Sequence, residues 1–398
     1  MGWWERLWAM VSALPATRAL RMALAIWFVY GAIIAIVVAV QPERHTATLE
    51  YQWASAKWWG GEKSLYKKKN GYLYLPQFAI LYTPYEFLPD RVGEPLWRLT
   101  CMALLASALW VAASALAGEK RAQVFLIATV LALPSSFASA RNGQVNMPLA
   151  ALFLLTAIAI SRERWWPAAA MLAVALVLKP IALAPILLCA ALYPRLILPG
   201  IACLAVVAAL PFAHPNPSYA ANEYVAFFKN LNQAGNPKGQ TWCDFAGMLG
   251  VAGIQIPSAI QLGIRALAGL VALGIGWHAV RTMDRLRGAV AVLFASVVYL
   301  MLFNPRTETN SYVMLGAFVG VLGAYDALVA RNLRAAGWFV LVAAILGTEN
   351  YGWPIFPLTN LWLKALSTSV LCLIVPLAIL RPGRSYTFLA PAPAERCD

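Results

Sequence analysis

The stretch QVFLIATVLALPSSFASARNGQVNMPLAALFLLTAIAI, residues 123–160, contains two apolar segments that meet at a short polar joint. Each segment approaches the roughly 20 residues that a helix needs to cross the hydrocarbon core of a bilayer. Between them, Arg141, Asn142, Gln144 and Asn146 crowd into one joint, and Gly143 permits a reversal of the chain. The stretch therefore predicts a hairpin of two membrane helices whose polar turn emerges at one membrane surface.

The composition extends this prediction to the whole chain of 398 residues. Hydrophobic residues make up 61% and charged residues 12% of the sequence, and the mean hydropathy is +0.66. A soluble domain carries about a quarter of its residues charged. Apolar runs of membrane length recur, and the period-two alternation of a membrane β-barrel is absent. We predict an all-α polytopic integral membrane protein, a bundle of about 12 transmembrane helices.

The positions of Lys and Arg assign the loops to the two sides of the membrane, because short cytoplasmic loops are enriched in these residues. The assignment places both termini in the cytoplasm. It treats residues 1–398 as a single transmembrane domain with a long outer loop at 41–95, which holds an amphipathic aromatic helix. A second outer segment spans residues 213–256, and a cytoplasmic tail spans residues 381–398.

Several classes of function are disfavoured by the sequence. The net charge of +14 comes mostly from short loops that orient the chain, so we predict no nucleic-acid partner. The six cysteines form no CxxC motif and the three histidines lie far apart, which disfavours a disulfide framework and a metal site. We predict no cofactor and at most a weak dependence on divalent cations.

The outer segments hold most of the Asn and Gln side chains, together with charged residues that the orientation of the chain does not require. Lys179 lies in the apolar run VALVLKPIALAPILL, where an ionisable residue by default marks a functional site, although lysines near helix ends also extend to the membrane surface. In NPRTETNSY, residues 304–312, Arg306 could bind a phosphate and Glu308 could act as a base. These two residues could also simply pair with each other.

Aromatic residues fill the first outer loop. Tyr51, Tyr66 and Tyr74 could stack on sugar rings, or the loop could lie at the level of the lipid headgroups as an interfacial helix. The polar joint at residues 141–146 has a second interpretation as well, in which its amides cap the helix ends. The concentration of polar groups on one side favours a polar ligand bound at the outer face.

In the order and spacing of its motifs, the sequence resembles the GT-C glycosyltransferases, specifically family 87, which includes mannosyltransferases that use polyprenyl-phosphate-mannose. The matching positions are Tyr51, Gly61, Leu65-Tyr66, Tyr74-Leu75-Pro76, Pro84, Gly143-Gln144-Val145-Asn146, Lys179-Pro180, Asn232-Gln233 and Asn304-Pro305. The resemblance implies a GT-C-like helical bundle with interfacial helices on the outer face, where the active site lies. It implies transfer of a hexose or pentose, mannose-like above all, from a polyprenyl-phosphate donor to a lipid-linked or envelope glycan, with inversion.

One position departs from the family pattern. Family members usually carry an acidic residue four positions before the tyrosine that aligns with Tyr51, and this chain has Ala47 there. The candidate bases are therefore Glu308, which we favour, and Glu50, with His45 as an alternative for this branch. The chain could also be catalytically altered.

The predicted site residues fall into three groups. The catalytic candidates are Glu308 and Glu50, and the candidates for the donor phosphate are Lys179, Arg306 and Arg141. Candidates for contacts to the sugar or the acceptor are Gln144, Asn146, Asn142, Asn232, Gln233, Asn310, Tyr312, Tyr51, Tyr66, Tyr74, Arg44 and His45. A transporter or flippase of lipid or polysaccharide precursors is the main alternative function, although such proteins often show internal repeats and this chain shows none. A binding or scaffold role is a further alternative.

Overall fold

The computed structural model describes residues 2–41, 46–61, 64–66, 72–234 and 242–380. Of the predicted site residues, Arg44 and His45 lie outside this part of the chain, as does the side chain of Gln233. The predicted tail at 381–398 also lies outside it.

The described residues form α-helices joined by short turns and single turns of 3-10 helix, with no strand among them. The α-helices are α1 Trp3–Ser12, α2 Ala16–Val40, α3 Thr48–Gly60, α4 Pro76–Glu86, α5 Asp90–Ala117, α6 Arg121–Asn142, α7 Asn146–Ser161, α8 Trp165–Leu178, α9 Leu183–Leu192, α10 Ile197–Ala209, α11 Pro217–Ala234, α12 Phe245–Val251, α13 Ser258–Thr282, α14 Arg285–Phe303, α15 Val313–Leu328, α16 Leu333–Leu346, α17 Phe356–Thr359 and α18 Leu363–Leu380. The predicted all-α class is confirmed.

Six helical stretches in the described chain are long and apolar enough to cross a membrane. One of them, Asp90–Asn142, contains both α5 and α6, which reverse at Gly118 with a φ of 51°. Five further apolar helices are shorter. Each predicted span falls on a helix of its own, namely α2, α5–α10, α13–α16 and α18. The chain is a polytopic membrane protein, and the number of crossings stays a prediction.

The centre of the bundle is the contact between α6 and α15. In the 18-residue apolar window of the stretch Thr309–Leu328, which contains α15, 94% of the residues are buried inside the protein. A Cβ atom built on Gly316 would lie 2.0 Å from Ser135 Oγ, and one on Gly320 would lie 2.8 Å from the carbonyl oxygen of Ala128. Small residues let membrane helices approach closely. The two helices therefore pack backbone against backbone.

The turns sort to the two ends of the bundle. At one end, which we call the polar end, the turn after α6, the end of α8 and the loop after α14 are joined by hydrogen bonds. At the opposite end, Lys120 Nζ donates to the carbonyl oxygen of Leu328 at 2.7 Å and to Ser12 Oγ at 3.1 Å. The loops that the sequence assigns to opposite sides of the membrane thus lie at opposite ends. Which end faces the cytoplasm stays a prediction.

Candidate functional site at the polar end

The turn between α6 and α7 closes with its own backbone groups. Gly143 has a left-handed φ of 67°, its N–H donates to the carbonyl of Ala140, and the N–H of Gln144 donates to that of Ser139. This pair of bonds is a Schellman motif, which satisfies carbonyls at the end of a helix. At the start of α7, no described side chain forms a capping hydrogen bond. The amide side chains of the joint are therefore not used for capping, and the capping interpretation is not supported.

The polar side chains instead form one connected network. Gln144 Nε2 donates to Glu308 Oε2 at 2.9 Å, and Asn146 Nδ2 donates to Gln144 Oε1 at 2.7 Å and to Asn310 Oδ1 at 3.2 Å. Lys179 Nζ donates to Asn146 Oδ1 at 3.1 Å. We call these five residues the amide network. Its hydrogen bonds connect three regions of the sequence and join residues up to 164 positions apart.

Local backbone structure places Lys179 in this network. Helix α8 ends at Leu178, and Lys179 has an extended backbone with a φ of −161° before Pro180 begins a single 3-10 turn. Proline cannot continue the hydrogen bonding of a helix interior, so the chain breaks here. The break directs the ammonium group to Asn146. This contact favours the functional interpretation of Lys179 over extension to the membrane surface.

Glu308 has further polar neighbours. The hydroxyls of Tyr51 and Tyr74 hydrogen-bond to each other at 2.8 Å. Burial raises the pKa of both hydroxyls, and the Glu308 carboxylate nearby raises it further. Burial lowers the pKa of the Arg306 guanidinium, and the same carboxylate opposes that shift. Glu308 thus accepts from an amide donor and interacts electrostatically with the hydroxyls of Tyr51 and Tyr74 and with Arg306, whose guanidinium stacks 5.2 Å from the ring of Trp242.

The tyrosine rings do not form an open stacking surface. Tyr51 is 1% exposed and makes edge contacts with Tyr74, Phe78 and Tyr82 at centroid distances of 4.8–5.5 Å. Tyr66 donates its hydroxyl to the carbonyl of Tyr74 at 2.7 Å. These rings form the interior between α3 and α4. The prediction that Tyr51 stacks on a sugar ring is not supported.

Tyr312 is a second predicted contact that the structure buries. It is 0% exposed, and its hydroxyl donates to the carbonyl of Cys243 at 2.9 Å. Tyr312 therefore has a structural role, because it links the end of the 304–312 segment to Cys243. Asn232 is exposed on α11, and no described contact joins it to the amide network.

Arg141, Asn142 and Glu50 lie beside the network. Arg141 is exposed, and the carbonyl of Asn142 accepts from the N–H of Ala47 at 2.8 Å. Glu50 precedes Tyr51 on α3, and neighbouring side chains on a helix point about 100° apart. Because Tyr51 points inward, Glu50 lies on a different face of that helix. Of the two candidate bases, Glu308 is the one in the network.

Sequence analysis missed a buried ion pair under the turn. Glu94 and Arg98 are both 1% exposed and paired, and Arg98 Nε donates to the carbonyl of Arg141 at 3.1 Å. Trp97 Nε1 donates to the carbonyl of Gly143 at 2.7 Å. We predicted an outer loop over residues 41–95, but α5 begins at Asp90. This error placed Glu94 in a loop and hid its i,i+4 spacing from Arg98.

A second ion pair that the sequence did not predict contacts the loop that carries Glu308. Lys364 Nζ lies 3.1 Å from Glu349 Oε1 and donates to the carbonyl of Thr309 at 3.1 Å. The two charged side chains are 1% and 5% exposed. The signal was a lysine in the apolar run LWLKALS, the same pattern that indicated Lys179.

The family model of glycosyltransferase family 87 matches residues 72–305, more than half of the chain. The chain belongs to this family. The search of curated proteins finds no match. The matched region contains Gln144, Asn146 and Lys179, and Glu308 follows its last residue by three positions. Membership makes the protein a membrane glycosyltransferase and favours this activity over the transporter and scaffold alternatives.

Replacing Gln144 by Ala is expected to slow glycosyl transfer by about 10- to 100-fold, because the Glu308 carboxylate loses the amide that orients it. Turnover of the purified variant and its recovery from membranes are the measurements. Gln123→Ala is the control, since Gln123 bonds to the carbonyl of Leu14 at the opposite end. Unchanged turnover in Gln144→Ala would make the turn purely structural.

Replacing Gly143 by Ala is expected to destabilise the protein by more than about 1 kcal/mol, because a left-handed backbone penalises a side chain. The added Cβ would also lie 2.5 Å from Thr48 Cγ2 and 3.0 Å from Arg98 Cζ. Thermal unfolding in detergent measures the change. Gly337→Ala is the matched control, since open space surrounds Gly337 within α16, and it should be neutral or stabilising. Equal unfolding temperatures for the two variants would contradict the prediction.

Proposed function

We propose that the protein transfers a hexose or pentose, mannose-like above all, from a polyprenyl-phosphate donor to a hydroxyl of a lipid-linked or envelope glycan. We place the reaction at the outer face of a bacterial plasma membrane, with inversion of the anomeric carbon. The observation that carries the proposal is the hydrogen bond of 2.9 Å from Gln144 to Glu308, within a network that also holds the cation Lys179.

Glu308 would serve as the base. The acceptor hydroxyl gives its proton to the Glu308 carboxylate while its oxygen forms a bond to the anomeric carbon. The bond from that carbon to the phosphate oxygen breaks, and polyprenyl phosphate leaves with the electron pair. A single displacement of this kind inverts the anomeric centre. Gln144 holds the carboxylate through one oxygen, which supports this role because a base must be oriented toward its proton.

Lys179 and Arg306 would bind the donor phosphate. Lysine has three N–H donors, and one of those of Lys179 is used on Asn146. Negative charge builds on the phosphate as its bond to the sugar breaks, so cations placed there stabilise the transition state. Asn310 would orient sugar hydroxyls from the same network, and the fully buried Asn146 would hold Gln144 and Lys179 in place.

An apolar groove supports a lipid-linked donor. It has a volume of about 280 Å³, lies between α13, α14 and α18, and is lined by residues such as Leu267, Phe294 and Leu371. Phe303 also lines it, and the next residue, Asn304, opens the loop that carries Arg306 and Glu308. A polyprenyl chain in this groove would place its phosphate near that loop.

The experiment that tests the proposal is a donor panel. Purified protein is incubated with polyprenyl phosphates that carry different sugars, and release of polyprenyl phosphate is followed by mass spectrometry. We expect release from at least one donor, loss of it in Glu308→Gln, and an inverted anomeric configuration by NMR. We also expect the rate to change by less than about twofold with a chelator, because cations of the protein neutralise the phosphate. Absence of release from every donor would overturn the proposal.

A further inference from the structure

A cavity of about 330 Å³ lies at the opposite end of the bundle, far from the amide network in the fold. Three turns meet there, those between α7 and α8, between α9 and α10, and between α13 and α14. The cavity is lined by Glu163, Trp165, Tyr193, Arg195 and Arg285, among others. The proposed transfer reaction does not use this cavity.

Two arginines share one carboxylate in this cavity. Arg195 NH1 lies 3.3 Å from Glu163 Oε1, and Arg285 NH1 lies 3.2 Å from Glu163 Oε2. Both arginine side chains are 73% exposed. A guanidinium has five N–H donors, and these contacts occupy one NH1 group of each arginine. The two cations therefore converge on one point while most of their donors face the cavity and the solvent.

Glu163 lies in the turn that ends helix α7. Its φ of 55° lies in the left-handed region, and among the described residues only Arg331 shares this feature outside glycine. The N–H of Glu163 donates to the carbonyl of Ile160 and that of Arg164 donates to the carbonyl of Ala159, which is a Schellman motif. The end of α7 therefore places the Glu163 carboxylate between the two arginines, which is the position that another anion would take.

The acidic neighbour in the cavity is already engaged elsewhere. Asp284 Oδ1 accepts from the backbone N–H groups of Leu286 and Arg287 at 3.0 Å, and Asp284 Oδ2 lies 3.3 Å from Arg287 Nε. Arg162 and Arg164 flank Glu163 in sequence and add positive charge. Glu163 is thus the group that competes with a ligand for Arg195 and Arg285.

The remaining lining suits the surface of a membrane. The rings of Trp165 and Tyr193 lie with centroids 6.3 Å apart, and Ile160 and Leu192 complete the apolar wall. Trp and Tyr favour the level of the lipid headgroups. Basic pockets between transmembrane helices bind anionic headgroups.

We propose that this cavity binds a phosphate group at the membrane surface opposite the amide network. The phosphate oxygens displace the Glu163 carboxylate from Arg195 and Arg285, because exposed ion pairs are weak and arginine binds phosphate with two parallel hydrogen bonds. The source of the phosphate is an anionic phospholipid headgroup or a soluble phosphate ester, and the two share this chemistry.

The test uses native mass spectrometry of the full chain, purified in detergent and supplied with phosphatidylglycerol or phosphatidylcholine. We expect preferential retention of phosphatidylglycerol. Arg195→Gln and Arg285→Gln should each reduce that retention by about fivefold. Glu163→Gln should increase it, since the competing charge is gone. Inorganic phosphate at millimolar concentration is added in a second arm, and full competition there assigns the cavity to soluble phosphates.

Arg121→Gln is the matched control. Arg121 lies at the same end and stacks 5.7 Å from the ring of Trp110, away from the lining of the cavity. It should leave retention unchanged. Opposite effects of the Glu163 and arginine variants identify the cavity as an anion site. Equal retention in all variants, or a change in the same direction for Glu163→Gln and Arg195→Gln, would overturn the proposal. Neither outcome depends on the transfer reaction.

Discussion

Glu308→Gln is expected to slow sugar transfer at saturating substrate by about 100- to 10,000-fold, the usual effect of losing a general base. In the native protein, Gln144 Nε2 donates to Glu308 Oε2. Glutamine has nearly the same shape as glutamate, and its carbonyl oxygen can still accept that hydrogen bond. The amide cannot take the proton of the acceptor hydroxyl. Turnover of the donor identified in the panel is the measurement, and the unfolding temperature should stay close to that of the native chain.

Glu50→Gln is the matched control for that experiment. Glu50 lies on α3 beside Tyr51 but on a different face of the helix from the inward-pointing ring. We expect its turnover to stay within about threefold of the native value, because it is Glu308 that accepts the hydrogen bond from Gln144. A large loss in Glu50→Gln together with full activity in Glu308→Gln would transfer the role of base to Glu50. Full activity in both would eliminate both carboxylates.

Lys364→Met is expected to destabilise the protein by about 3–5 kcal/mol, because it leaves a buried carboxylate without its cation. Lys364 Nζ lies 3.1 Å from Glu349 Oε1, and both side chains are almost fully buried. The Lys364→Met variant also loses the hydrogen bond from Lys364 Nζ to the carbonyl of Thr309, a residue between Glu308 and Asn310. Denaturant or thermal unfolding in detergent measures the effect.

Two further variants show whether the pair itself causes the loss. In Lys364→Met with Glu349→Leu, both charges are removed, and we expect much of the stability to return, since apolar side chains of similar size replace a buried ion pair at little cost. Lys229→Met changes an exposed lysine and should alter stability by less than about 0.5 kcal/mol. A loss below about 1 kcal/mol in the single Lys364→Met variant would contradict a buried pair.

Some of this architecture could be predicted from sequence because it depends on local patterns. The apolar runs on either side of Gly143 predict two helices joined by a short turn, and the structure confirms α6, α7 and that turn. Lys179 was indicated by its position in an apolar run, and its contact with Asn146 agrees with a polar cluster at one end. Sorting loops by Lys and Arg also brought the amides of the joint and of the 304–312 segment to the same side.

Other features depend on packing between distant residues, which no local pattern encodes. The bond between Gln144 and Glu308 joins positions 164 apart, and the partner of Lys364 is set by how α18 meets the loop after α16. For the tyrosines of the first loop, the sequence predicts either stacking on sugar rings or an interfacial helix at the level of the lipid headgroups. Only the packing of α3 on α4 decides that Tyr51 is buried.

The structure shows where Ala47 lies, the position at which family members usually carry an acidic residue. Ala47 lies against the turn, since its N–H donates to the carbonyl of Asn142 at 2.8 Å. An acidic residue at that position would stand beside the turn that carries Gln144. In this chain, a carboxylate reaches Gln144 from the loop after α14 instead.

The close contact of α6 with α15 has a consequence for how substrates enter and leave. Gln144 follows the last turn of α6, and Glu308 precedes the 3-10 turn that leads into α15. Packed interfaces of this kind shift as units and do not deform continuously. The turn that carries Gln144 and the loop that carries Glu308 are therefore anchored on one packed pair of helices. For the lipid-linked donor proposed above, entry and exit would require movement of other elements, and this helix pair would keep Gln144 and Glu308 on a common base.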